Sequence, residues 1–93
     1  MRVGKAKFSE LLRLTAEAYG MAEWELVQPG RQRQWVKARS MLVYVATEWG
    51  RVSVKDIGRR LHRDPSIISR LYSAYAAARD LKTEKGLLQQ LKS

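Results

Sequence analysis

Cysteine is absent from this 93-residue chain, histidine occurs once, at His62, and proline only twice. Without cysteine there is no disulfide framework, no zinc–thiolate site and no thiol nucleophile. A lone histidine cannot form a paired-histidine metal site. No glycine-rich loop ending in Lys-Ser or Lys-Thr is present to cradle a nucleotide phosphate. Carboxylates are also scarce, 9 Asp and Glu against 18 Lys and Arg. Most lie near a cation in sequence, which reads as surface pairing. Tyr44 and Tyr75 fall at core-facing or flanking positions, so a tyrosine nucleophile would lack a metal and a base. No catalytic residue, metal ligand or cofactor site can be nominated, and the chain reads as a non-enzyme. The longest apolar run, Met41 to Ala46, is far too short to span a bilayer. The opening Met1-Arg2-Val3-Gly4-Lys5 lacks the apolar core of a signal peptide. The expectations are a cytoplasmic setting, no membrane partner and no small-molecule substrate.

What is present is apolar content and positive charge. The 45% hydrophobic residues suit a globular fold rather than a disordered one. At this length one modest core is feasible and two are not, so residues 1–93 are expected to form one domain. A formal net charge of +9 repels itself in a compact state and makes sense opposite a polyanion, either nucleic acid or an anionic surface.

Periodicity predicts an all-α fold of about five to six helices. Phe8 to Tyr19 reads as a helix with Ser9 as N-cap and Gly20 just past its end. Its buried face is Phe8, Leu11, Leu12, Thr15, Ala16 and Tyr19. Ala22 to Val27 adds a turn before the Pro29-Gly30 break. Gln32 to Trp49 is the long central helix, with a core stripe of Ala38, Met41, Leu42, Val45 and Trp49 widened by Trp35 and Ala46. Its length outweighs the β-branched Val43-Tyr44-Val45 cluster as a strand signal. Trp24, Trp35 and Trp49 are assigned to core or rim. The expected core spans about 8–79, followed by a polar helical tail over about 80–93 that carries Leu87, Leu88 and Leu91.

The clearest local signals lie between Ser53 and Ala78. Ser53 and Asp56 form a capping-box-like Ser-x-x-Asp. Val54, Ile57, Gly58 and Leu61 then fall on one apolar face, and Gly58 leaves room for another helix to approach. After a turn at His62-Arg63, Asp64 caps a second helix with Pro65 at its first position. Ile68, Leu71, Tyr75 and Ala78 face inward there, with Ile67 and Ala74 flanking. Two short helices joined in this way match a helix-turn-helix.

In such a motif the second helix enters the major groove and its N-terminal residues face base edges. The outward residues here are Ser66, Ser69, Arg70 and Ser73, and Arg70 can pair bidentately with guanine. Arg51, Lys55, Arg59, Arg60 and Arg63 stand around them as phosphate contacts, which position without reading sequence. A second cluster, Arg31, Arg33, Lys37 and Arg39, opens the central helix. Arg31 and Arg33 fit an arm into the minor groove, and Lys37 and Arg39 fit phosphate. The expected partner is double-stranded DNA, which implies a nucleoid-associated protein. RNA is disfavoured by its deep A-form groove. A stand-alone transcriptional regulator and a basic protein-interaction module remain alternatives.

Arg33 through Met41 and Ser53 through Leu71, the latter reading S-V-K-D-I-G-R-R-L-H-R-D-P-S-I-I-S-R-L, resemble the C-terminal, Trp-repressor-like DNA-binding domain of the replication initiator DnaA. Ala38-Arg39, Asp56-Ile57-Gly58 and Arg63-Asp64 followed by Ser66 occupy the family's characteristic places. Arg63 to Leu71 is more similar still to the version that ends REP-associated tyrosine transposases. The resemblance implies a target-recognition domain with an upstream catalytic domain in the full-length protein. It makes Arg33 the minor-groove arginine and places Asp64, Pro65, Ser66 and Ser69 at the major groove. Two departures matter: Pro65 stands where the initiator has a base-contacting histidine, and His62 stands where the turn often has glycine.

Overall fold

Some helix boundaries are set by local capping and others by contacts across the fold. The computed structural model describes residues 6–28 and 33–92, apart from the side chains at 33 and 34. Among these residues there are six helices and no strand: α1 (Phe8–Ala18), α2 (Glu23–Val27), α3 (Arg33–Glu48), α4 (Val54–Leu61), α5 (Pro65–Ala77) and α6 (Leu81–Lys92). The all-α expectation is met.

α1 starts at Phe8 as expected, but its cap is not the expected one. Lys7, not Ser9, is the N-cap and makes no side-chain capping bond. Ser9 is exposed inside the first turn. The chain is instead pinned just upstream, where Ala6 N–H donates to Trp49 O at 3.2 Å. The far end follows expectation: Gly20 has φ +65, and Met21 N–H returns to Ala16 O at 2.8 Å, closing a Schellman turn. In α2, the Glu25 carboxylate accepts from Ala22 N–H at 2.8 Å, which satisfies an N-terminal donor.

α3 is the axis of the bundle. Ala38, Met41, Leu42, Val43, Val45 and Ala46 all have zero exposure, so burial extends round most of the helix rather than along one stripe. Trp35 and Trp49 are half-buried, whereas Trp24 is 58% exposed and belongs to neither core nor rim. Gly50 ends the helix in a tight place, since a Cβ there would lie 3.0 Å from both Ala46 O and Ala6 O. The next residue, Arg51, takes a left-handed φ of 54, a conformation uncommon outside glycine.

The chain beyond Ala78 is more than a polar tail. α6 packs against α1, with Leu87 buried at 3% exposure and Glu84 at 4%. Glu84 accepts from Arg79 Nη2 at 2.7 Å, from Arg79 Nε at 3.1 Å and from the Tyr75 hydroxyl at 2.7 Å. Asp80 starts α6 by accepting from Thr83 N–H at 3.2 Å and the Thr83 hydroxyl at 2.6 Å. It also accepts from the Tyr19 hydroxyl at 3.2 Å, so α1 is tied to the α5–α6 corner. Burial pushes Glu84 up, but the Arg79 and Tyr75 hydrogen bonds outweigh it and hold the carboxyl below its ordinary range. Thr83's hydroxyl, joined by its N–H and Tyr19, holds Asp80 low in the same way. Burial, then the Asp80 charge, pushes Tyr19 up to about 12.

Candidate nucleic-acid interface

α4 and α5 form two short helices whose caps are all supplied locally. Ser53 Oγ accepts from Asp56 N–H at 3.2 Å to start α4. α4 ends at His62, which is left-handed at φ 57, ψ 46. Arg63 N–H then donates to Gly58 O at 2.8 Å. Histidine accepts this conformation more readily than most residues, so the turn keeps its shape without glycine. Asp64 caps α5, its Oδ1 accepting from Ser66 N–H at 3.1 Å, with Pro65 at the first helical position. Gly58 sits beneath the turn. A Cβ there would lie 2.7 Å from Arg63 O and 3.6 Å from Pro65 N and Ile68 Cγ1. The bare backbone is what lets α5 lie this close to α4.

That packing sorts the residues of α5. Ile68 and Tyr75 are buried, with Leu71 and Tyr72 partly so. Tyr44 on α3 stacks on Tyr72 at 5.3 Å between ring centroids and meets Tyr75 at 5.1 Å. Asp64, Pro65, Ser66, Arg70 and Ser73 are all exposed. Ser69 is exposed too, but it lines a shallow recess with Thr47, Val54, Tyr72 and Ser73. The five residues assigned to base reading therefore lie on one accessible helix, with Ser69 toward its α3–α4 flank.

Of the cations assigned to phosphate near the helix-turn-helix, Arg51, Lys55, Arg59 and Arg60 are exposed and Arg63 is half-buried. The acids among them are already engaged: Asp56 Oδ1 lies 3.4 Å from Arg59 Nη2, and Asp64 serves as the α5 cap. The Arg60 guanidinium sits 5.1 Å from the centroid of the Phe8 ring. Arg51 and Arg60 share one open concavity with Lys7, Ser9 and Asp56. Lys7 is an addition that periodicity did not single out; its only sequence signal is the basic run at the start of the chain.

Lys37 and Arg39, the described side chains of the second basic cluster, do not share one surface. Arg39 is 3% exposed, which corrects its assignment to phosphate. Its Nε donates to Leu26 O at 2.9 Å, and its Nη2 to Gln28 O at 2.7 Å and Glu25 O at 3.5 Å. It thus closes the C-terminal end of α2, where backbone carbonyls favour a cation. Burial first, and the charge of Arg63 second, hold its pKa below the ordinary value. Lys37 is exposed, but its Nζ lies 6.0 Å from the centroid of the Tyr19 ring, and its charge helps hold Asp80 low. It faces the α1–α6 side, not a common patch with Arg39. Arg33 begins α3, but its side chain lies outside the described residues, as does all of Arg31.

Two short capped helices, a tight left-handed turn and an exposed second helix packed on a cation-bearing first one define a helix-turn-helix. Among the described residues no group of acids and histidine can hold a metal ion, and no helix is long and apolar enough to cross a membrane. Residues 8–73 match the bacterial dnaA protein helix-turn-helix family, and the chain belongs to it. This membership makes it a DNA-binding domain for double-stranded DNA. No curated protein matches the chain.

Proposed function

We propose that this chain recognises a specific double-stranded DNA sequence as the targeting domain of a REP-associated transposase-like protein, with catalysis assigned to a separate upstream domain. α5 lies in the major groove, where Ser66, Ser69 and Arg70 face base edges beside Asp64 and Pro65. Arg51, Lys55, Arg59, Arg60 and Arg63 hold phosphates, and Arg33 with Arg31 enters the adjacent minor groove. The supporting observation is the exposed N-terminal half of α5, packed on α4 with its exposed Lys55, Arg59 and Arg60, where the local acids Asp56 and Asp64 are both occupied. The transposase assignment is supported by the Arg63 to Leu71 sequence, R-D-P-S-I-I-S-R-L.

Duplex binding measured across a salt series tests the electrostatic part. Five to seven neutralised phosphates give a log–log slope of about −4 to −6, whereas a flat response points to a protein-interaction module. Selection from random duplexes tests the rest. Pro65 can neither donate nor accept from its side chain, so the recovered site is expected to differ from the initiator box. Recovery of that box, or a motif unchanged by Arg70→Ala, would overturn this assignment of readers. Arg33→Ala is expected to weaken sites flanked by a narrow, A·T-rich minor groove the most, and Arg59→Ala to weaken all sites alike.

A further inference from the structure

The first turn of α5 has less polar reading capacity than its exposure suggests. Pro65 presents only hydrocarbon. Asp64 and Ser66 are turned on each other, with Asp64 Oδ1 accepting from both the Ser66 N–H and the Ser66 hydroxyl at 3.1 Å each. Next comes Ile67, 40% exposed, while Ile68 is fully buried, a step of about 100° round the helix. The Ile67 N–H is already bonded to Asp64 O at 2.9 Å. The residue therefore adds only a branched apolar side chain to the surface. Four large hydrophobics are exposed among the described residues, Trp24, Val36, Ile67 and Leu81. Ile67 alone of these stands on the turn that leads α5, between exposed Ser66 and Arg70.

In the major groove, base edges offer hydrogen-bond donors and acceptors and one apolar group, the thymine 5-methyl. We infer that Ile67 packs on the 5-methyl group of a thymine and so specifies one base pair of the target by apolar contact. This rests on the reading of α5 as the groove helix. It gives that helix two kinds of reader: Ile67 for a methyl, and Arg70, one turn on, for a hydrogen-bonding edge.

The test uses the full chain and the duplex recovered by selection, at fixed salt. Each thymine of the site is replaced in turn by deoxyuridine, which removes the methyl and nothing else. One replacement is expected to weaken wild type about fourfold, the worth of roughly one buried methyl group. Ile67→Ala should bind the thymine and deoxyuridine sites equally, and Ile67→Val should keep the discrimination. Helical circular dichroism of both variants checks that they fold. Specific binding in which no thymine methyl matters, or in which Ile67→Ala discriminates as wild type does, overturns the inference and leaves the groove reading standing. Absence of any salt-sensitive duplex binding overturns the groove reading and the inference together.

Discussion

Replacing Gly58 by alanine tests whether the α4–α5 approach depends on a missing side chain. The new Cβ would lie 2.7 Å from Arg63 O, where ordinary van der Waals contact starts at 3.4 Å. The neighbour must therefore give way by about 0.7 Å, the difference between those two distances. That oxygen is backbone, in a residue whose own N–H is bonded to Gly58 O at 2.8 Å, and it directly precedes the α5 cap. Overpacking of this kind costs about 1–3 kcal/mol, while Gly→Ala inside a helix gains about 1 kcal/mol from propensity. Gly86, in α6, provides the control, because a Cβ there would meet nothing within 4 Å. Gly86→Ala should take the propensity gain alone. The two variants should differ by about 1–3 kcal/mol, with Gly58→Ala the less stable. For a domain of this size each kcal/mol moves Tm by about 4–8 °C, so thermal melts followed by circular dichroism resolve the pair. DNA affinity should fall as well for Gly58→Ala, because the turn that aims α5 has moved. If Gly58→Ala melts at or above Gly86→Ala, the close-approach argument is wrong.

Three further outcomes follow from the internal polar groups. Arg39→Gln should cost about 1–3 kcal/mol by leaving α2 carbonyls without their donor yet leave the salt slope of DNA binding unchanged; a slope shallower by about 0.9 would restore Arg39 to the phosphate set. Glu84 and Asp80 are held below their ordinary carboxylate values, so the stability they supply is present above those values and lost as pH falls through the folded-state ones. Tyr19 is the reverse, raised from 10.0 to about 12, and its contribution is lost as pH rises between those values. Urea titrations over a pH series should therefore show an acid limb that Glu84→Gln flattens and an alkaline limb that Tyr19→Phe flattens; limbs unchanged in the variants would remove these groups from the linkage. Thr15 is fully buried and its hydroxyl has no partner among the described residues, so Thr15→Val should raise stability by about 1–2 kcal/mol in equilibrium unfolding, and a loss would mean that the hydroxyl is satisfied.

The α4–α5 unit was legible because its determinants are local. Ser53, Gly58, Asp64 and Pro65 act on residues within a few positions, so the sequence pattern and the observed boundaries nearly coincide. α1 was less so, because its start depends on Ala6 reaching Trp49 across the fold, which leaves Ser9 without a capping role. The charge of Arg39 suggests an exposed residue, whereas its spacing points to the core. Trp35, Leu42 and Ala46 lie four before, three after and seven after it, so position 39 falls on the widened core face. Only a guanidinium that finds buried carbonyls is tolerated there. Periodicity shows α6 as a helix but not its docking, which depends on Glu84 meeting Arg79 and Tyr75 of the preceding segment. Of the proposed readers, exposure on α5 could be expected from period alone. The Asp64–Ser66 pairing, which leaves Ile67 prominent, could not.

The α6 brace changes what counts as a transplantable piece of this molecule. The family match stops at residue 73, inside α5, which runs on to Ala77. A fragment trimmed to that limit would keep every side chain assigned to DNA. It would discard Tyr75, the Glu84–Arg79 clasp and the cover over α1, leaving the reading helix frayed at its far end. A graft meant to carry this specificity onto another protein should therefore extend through Lys92, because the part that touches the target is shorter than the part that keeps it aimed.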